Sequence, residues 1–145
     1  MGREGAGITP EKPIEGGSYP FPILMSYTNV SEPHAYGMAK AMLDLFADYK
    51  DAAPGNTGWA LDRQIFSWVV PYHEGAVRRL REIGVWKDEH QRNNEAILRR
   101  QSVLAEAWKP HAAGSHASDE AFQQAWMKAR AAALAAAGFD AVWRE

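Results

Sequence analysis

The sequence predicts a mainly helical fold that includes one or two short strands, an α/β composition dominated by helix. Alanine fills 25 of the 145 positions, and alanine has the highest helix propensity of all residues. From Ser31 onward, apolar residues recur at helical spacing between clear helix-breaking residues. Residues 21–30 alone form a short apolar run bounded by turn-forming residues, which is typical of a buried strand.

Charge and cysteine content exclude several classes of protein. The chain carries 16 Lys and Arg against 18 Asp and Glu, a net charge of −2, so no basic surface for a nucleic-acid backbone is expected. The absence of cysteine excludes disulfides, thiolate zinc sites and cysteine nucleophiles. The longest uncharged stretch, residues 16–31, is broken by Gly17, Pro20 and Pro22 and predicts no membrane span.

The N-terminal part of the chain differs in composition from the rest. Residues 1–20 contain five Gly and three Pro, which predicts an irregular segment. Residues 1–15 lack the apolar run of a secretory signal, so no signal peptide is expected in this chain. Residues 21–145 are predicted to form a single helical domain with one strand. Because one strand cannot satisfy its own backbone groups, the strand is expected to pair with sheet on another polypeptide or to remain an exposed edge, which invites association.

Residues that typically start or end helices predict the first helices. A first helix is predicted to begin at Ser31, which is followed by an acidic residue and a proline, and to end near Lys50. Mixed periodicity over residues 59–70 indicates a short helix that leads into an extended stretch. A third helix is predicted over residues 74–83, with Gly84 at the position that takes a left-handed conformation.

The last two predicted helices are longer, and residues typical of helix ends bound both of them. A fourth helix is predicted to begin at Asp88, with Gln91 as its capping-box partner, and to end at Pro110. A fifth is predicted to begin after Ser118 as N-cap and to end at Gly138. Six tryptophans are expected to serve mainly as packing anchors in these helical layers.

Motifs for catalysis or metal binding are not evident. The five histidines form no HExxH or ExxH pattern, no GxSxG nucleophile motif occurs, and no glycine-rich phosphate loop follows a strand. We therefore expect no metal, no cofactor and no enzymatic activity. His73, at the start of the third helix, has two interpretations: it caps or packs locally, which is favoured, or it helps to bind an anion at the helix N-terminus.

Two runs of the sequence resemble the C-terminal portion of TAXI-type solute-binding proteins of TRAP transporters. They are residues 19–42, YPFPILMSYTNVSEPHAYGMAKAM, and residues 69–85, VVPYHEGAVRRLREIGV. The sequence departs from the family pattern at Arg79 and Leu80, where an aromatic pair is usual. The positions of the second run that match the pattern are Pro71, His73, Gly75, Ala76, Arg78, Glu82 and Gly84.

The resemblance implies the C-terminal segment of a two-lobed periplasmic-binding-protein-like fold. Such receptors work in the periplasm, close around a small organic anion such as a dicarboxylate or an amino acid, and present it to the membrane subunits of a TRAP permease. This chain is shorter than such a receptor, so an N-terminal lobe on another chain, or a homo-oligomer partner, is expected to complete it. The candidate ligand-binding residues are Tyr19 and Tyr27, which flank the strand, and His73.

A second hypothesis belongs to a different class of protein. The chain would be a self-standing helical protein-interaction module without a small-molecule ligand. Its alanine-rich helix over residues 118–137 would then dock a partner helix, since small side chains permit close approach while contributing little buried area.

Overall fold

The computed structural model describes residue 7, residues 9–14 and residues 23–142. Within this part of the chain the fold is mainly helical, as predicted. Two short 3-10 turns, Asn56–Trp59 and Leu61–Arg63, connect the second and third helices. The α-helices are α1 (Glu32–Asp44), α2 (Phe46–Tyr49), α3 (Glu74–Glu82), α4 (Asp88–Ala113) and α5 (Asp119–Ala136).

The predicted strand is wrong over the residues that the structure describes. Residues 23–27 have no regular secondary structure and join no ladder, and an isolated bridge between Thr9 and Lys12 lies elsewhere in the described segments. This stretch ends in a turn in which the Val30 N–H donates to the Tyr27 carbonyl at 3.2 Å. An apolar run becomes a strand only when another segment offers backbone partners, and no described segment does so here. Residues 15–22 of the expected N-terminal segment and strand lie outside the described residues.

Helices α1 and α2 replace the single helix predicted to end near Lys50. The interruption falls at Leu45, whose backbone (φ −97°, ψ 8°) leaves the helical range. Pro33 lies in the first turn of α1, where its missing N–H costs nothing. Ser31 occupies the N-cap position, but its side chain makes no capping hydrogen bond.

Helix α3 ends as predicted, in a Schellman motif. Gly84 has φ +75°, its N–H donates to the Arg81 carbonyl at 2.9 Å, and the Val85 N–H donates to the Leu80 carbonyl at 3.0 Å. This turn directs Trp86 back onto the helix. The buried core of this half of the molecule is formed by Val77, Leu80 and Trp86, covered by Leu43, Leu61, Phe66, Tyr72, Ile83 and Val85.

Helix α4 begins at Asp88 as predicted, but its capping contacts and its end differ from the prediction. At its start, the Lys87 N–H donates to Nδ1 of His90 at 3.1 Å, so the histidine ring takes the part assigned to the Asp88 capping box. At its end, the helix continues through Pro110 to Ala113. A proline removes one helical hydrogen bond, and here the turn that follows is held because His111 is buried against α5.

Helix α5 begins and ends as predicted, and it packs antiparallel to α4. The Ser118 Oγ accepts from the Ala121 N–H at 3.2 Å, and Gly138 takes φ +79° at the other end. Helix α5, expected to dock a foreign helix through its alanine-rich face, packs against α4 of the same chain. An aromatic cluster closes the α4–α5 turn, and its members are Trp108, His111, His116, Phe122 and Trp126. No helix in the described residues is long and apolar enough to traverse a bilayer.

Candidate functional site at the seam between α1 and α3

Gly75 allows α1 and α3 to approach closely. It is buried in the first turn of α3. A Cβ atom at this position would lie 2.4 Å from the Glu32 carbonyl oxygen and 2.6 Å from the Tyr36 nitrogen. Both neighbours are backbone atoms of α1, so no side-chain rotation could relieve the overlap. Glycine is therefore required for the observed helix pair, and this pair sets the geometry of everything along the seam.

His73 joins the start of α3 to the turn that precedes α1. Its Nδ1 accepts from the Gly75 N–H at 3.1 Å, and its Nε2 lies 3.0 Å from the Val30 carbonyl oxygen. Because the Gly75 N–H can only donate, Nδ1 is unprotonated and the ring proton is on Nε2, which donates to Val30. Both ring nitrogens thus have partners within the chain. The capping interpretation of His73 describes its contacts in this structure.

Arg78 anchors the half of the seam near the start of α1. Its Nη1 lies 2.7 Å from Oε1 of Glu32, and its guanidinium carbon lies 3.7 Å from the centre of the Tyr36 ring. The Tyr36 hydroxyl in turn donates to Oε2 of Glu82 at 2.8 Å. The side chains are partly exposed, so each ion pair contributes at most about 1 kcal/mol. Their combined effect is to fix the rotation of α3 about its axis.

Arg79 anchors the other half of the seam. Its Nη2 donates to Oδ1 of Asp44 at 2.6 Å, and its Nη1 lies 3.4 Å from Oε2 of Glu82. Lys40 also pairs with Asp44 along α1. The hydrogen bond from Lys40, together with the bond from Arg79, holds the pKa of the Asp44 carboxyl below its usual range. The same contacts, chiefly the one with Asp44, raise the pKa of Arg79.

Asn94 of α4 holds the segment that leads into α3. Its Oδ1 accepts from the Tyr72 N–H at 2.7 Å, and its Nδ2 donates to the Tyr72 carbonyl at 3.3 Å. The side chain is buried, and the paired bonds satisfy both backbone groups of Tyr72. The position of His73, one residue later, therefore depends on a side chain from a different helix.

The three predicted site residues have different locations. Tyr19 lies outside the described residues. Tyr27 is 85% exposed, and its carbonyl bonds to Val30, whose own carbonyl bonds to His73. The structure thus links the backbone at Tyr27 to the ring of His73 through a single turn. Their ligand-binding roles stay predictions.

Sequence reasoning missed the parts of the seam that depend on contact between helices. From the sequence, Gly75 was noted only because it matches the family pattern, and Arg79 only because it departs from that pattern. Asp44 was not considered. The spacing of Lys40 and Asp44 along α1 was an available signal, because it is that of an i,i+4 ion pair. The departure at Arg79 was another, since a charged residue stands where the pattern has a ring.

Comparison with known proteins gives no relative. No family model matches the chain, and neither the curated proteins nor the solved structures contain a match. The described residues also contain no group of three or more His, Asp or Glu side chains that could hold a metal ion. Function must therefore be argued from the residues and their geometry.

Proposed function

We propose that this chain is the C-terminal portion of a periplasmic solute receptor that binds a small organic anion and delivers it to a TRAP-type permease. In this role it performs no covalent chemistry. It contributes one wall of the anion cleft, and the remainder of the receptor supplies a sheet and the opposite wall. The resemblance of residues 19–42 and 69–85 to TAXI-type receptors supports the proposal.

The observation that carries the proposal is the exposed stretch of residues 23–27, which forms no regular secondary structure. No hydrogen bond to another described part of the chain is made by the N–H groups of this stretch. Its apolar side chains are exposed, with Leu24 at 53%, Met25 at 71% and Tyr27 at 85%. A backbone segment that lacks hydrogen-bond partners and carries apolar side chains is suited to be added as a strand to the edge of a sheet. A receptor lobe that provides such a sheet would satisfy both the backbone and the side chains.

The thin apolar core of the described residues supports the same conclusion. The large apolar side chains that are buried in this part of the chain are Val77, Leu80, Trp86 and Leu134. Helices α1 and α2 contain no buried residue. Helices that form a self-sufficient domain usually bury a whole apolar stripe. A larger assembly would cover the surfaces that α1 and α2 leave open.

Calorimetric titration tests this role. The chain is titrated with succinate and with glutamate, both alone and after mixing with a separately produced N-terminal lobe of a TAXI-type receptor. We expect heat of binding only in the mixture. Tyr27→Ala should weaken that binding by at least fivefold, whereas Ser26→Ala, at the neighbouring exposed position, should leave it within twofold. Absence of binding in the mixture, or equal effects of the two substitutions, would contradict the proposal.

A further inference from the structure

Two histidines lie together in the aromatic cluster that closes the α4–α5 turn. The ring centres of His111 and His116 are 4.6 Å apart, and their planes meet at 49°. The His111 ring also packs against Phe122 and Trp126, with ring centres 4.4 Å and 5.4 Å away. Histidine is the side chain whose charge ordinarily changes between about pH 5 and pH 8. The centre of this cluster therefore carries a side chain that can gain charge as the pH falls.

The surroundings of His111 favour its neutral form. The residue is 8% exposed, and its Nε2 atom is buried without a hydrogen-bond partner. A protonated ring carries an N–H group on both nitrogens, so a charged His111 would bury a donor that has no acceptor. Burial, and to a smaller extent the charge of His116, holds the pKa of His111 below its usual range. Protonation is thus unfavourable while the ring stays inside the cluster.

The charged side chains near the ring do little to offset this cost. Besides the two histidines, the charged residues of α4 and α5 close to the turn are Glu106, Lys109, Asp119, Glu120 and Arg130. The first two pair with each other at 2.6 Å, and the next two are exposed. The buried Arg130 donates to the Ala141 carbonyl at 2.6 Å. Water weakens the field of exposed carboxylates, so a proton on His111 gains little from them.

The backbone that holds the ring is weak at the same point. Pro110 has no N–H, so the last turn of α4 lacks one helical hydrogen bond. The His111 carbonyl accepts from the Gly114 N–H at 3.2 Å and lies 3.1 Å from Nε2 of His116. The turn therefore depends on His111 through both its ring and its carbonyl group. It can open while the opposite end of the hairpin, where Leu134 is fully buried, stays packed.

We propose that the α4–α5 turn, residues 110–118, is a pH-sensitive switch that opens when His111 takes up a proton. In the open form the charged ring lies in water, and Phe122 and Trp126 lose its cover, while the rest of the chain stays folded. Each pH unit below the ordinary histidine pKa of about 6.5 raises the ratio of open to closed molecules by up to about tenfold. The switch uses none of the residues proposed for the anion cleft, so either proposal can fail without the other.

Nuclear magnetic resonance of the native chain tests the switch without any substitution. The ring nitrogens of His111 report its protonation, and the indole N–H signals of Trp108 and Trp126 report the closed cluster. The ¹⁵N-labelled chain is titrated from about pH 8 to pH 4.5, across the ordinary range of histidine. We expect both indole signals to shift as His111 protonates, while the Trp59 signal and the helix content from circular dichroism stay constant. Protonation of His111 with both indole signals unchanged, or loss of the Trp59 signal and the helix content in the same step, would overturn the proposal.

A ring that cannot take up a proton separates charge from packing. In the native chain the ratio of open to closed molecules should rise at least tenfold between about pH 7 and pH 5, and in His111→Phe by less than threefold. His34→Phe is the matched control, because His34 is exposed on α1, and it should keep the native response. Opening of His111→Phe to the native extent would assign the switch to another group and overturn the proposal. The titration of the native chain decides the matter even if His111→Phe fails to fold.

Discussion

Replacing Gly75 with alanine tests the geometry of the seam most directly. The added methyl group would lie 2.4 Å and 2.6 Å from backbone atoms of Glu32 and Tyr36, and contacts under 3.0 Å force something to move. Because neither neighbour can rotate away, α1 must move away from α3 as a unit. That movement would stretch the bonds that cross the seam, including those from Arg78 to Glu32 and from Tyr36 to Glu82.

Two opposing terms set the size of the effect. Overpacking of a well-packed contact costs about 1–3 kcal/mol. Alanine recovers up to about 1 kcal/mol through its higher helix propensity, and less than that in the first turn, where Gly75 lies. We expect the cost of overpacking to exceed the gain in helix propensity. Gly75→Ala should therefore lower the free energy of unfolding by about 1–2 kcal/mol and the Tm by on the order of 5 °C.

Gly37→Ala provides a matched control on the other helix of the pair. A Cβ atom at Gly37 would meet nothing within 4 Å, and this glycine has no positive φ. The same chemical change should therefore stabilise the chain by up to about 1 kcal/mol. Thermal and urea unfolding followed by circular dichroism measure both variants. If Gly75→Ala proved as stable as the native chain, or if both substitutions acted in the same direction, the reasoning about the seam would be refuted.

Three further predictions concern α4 and α5. Asn94→Ala should lower the free energy of unfolding by about 1–3 kcal/mol, because both backbone groups of Tyr72 lose their partner; an unchanged urea midpoint would contradict this. Leu134→Ala should cost about 2–5 kcal/mol, since the side chain is fully buried; a loss below about 1 kcal/mol would show that the hairpin is loosely packed. Burial, with a smaller effect of His116, lowers the pKa of His111 in the folded state. As the pH falls, the unfolded chain therefore binds a proton at this histidine before the folded chain does. The free energy of unfolding should consequently decrease as the pH drops below about 6.5. His111→Gln should make the urea midpoint depend less on pH between about pH 7 and pH 5. If the pH dependence of the midpoint were unchanged, it would have to come from another group.

Features that depend on neighbours in the sequence could be predicted. The cap at the end of α3 involves Gly84 and atoms no more than five residues away, and the same is true of Gly138 at the end of α5. Glycine supplies the positive φ that both motifs need. The Ser118 cap is equally local. These ends were predicted correctly because local steric and hydrogen-bonding rules decide them.

Features that depend on distant contacts could not be predicted in the same way. A strand requires a partner segment, so the apolar run of residues 23–27 cannot by itself decide whether a ladder forms. Pro110 marks a helix end by local rules, yet the packing of His111 carries α4 one turn further. The role of Arg79 depends on Asp44, which lies 35 positions away in the chain. Tertiary context decided each of these cases.

The contacts at the seam also change how the family-like pattern should be interpreted. Gly75 permits the helix contact, Arg78 and Glu82 bind α1, and Gly84 ends α3, so each has a structural role in holding α3 in place. Fixed spacing among these positions therefore follows from packing alone and is no argument for ligand contact. Evidence for ligand contact must instead come from residues whose side chains are not fully used in holding the fold together. Tyr27 exposes most of its side chain, which is why the proposed function rests on it.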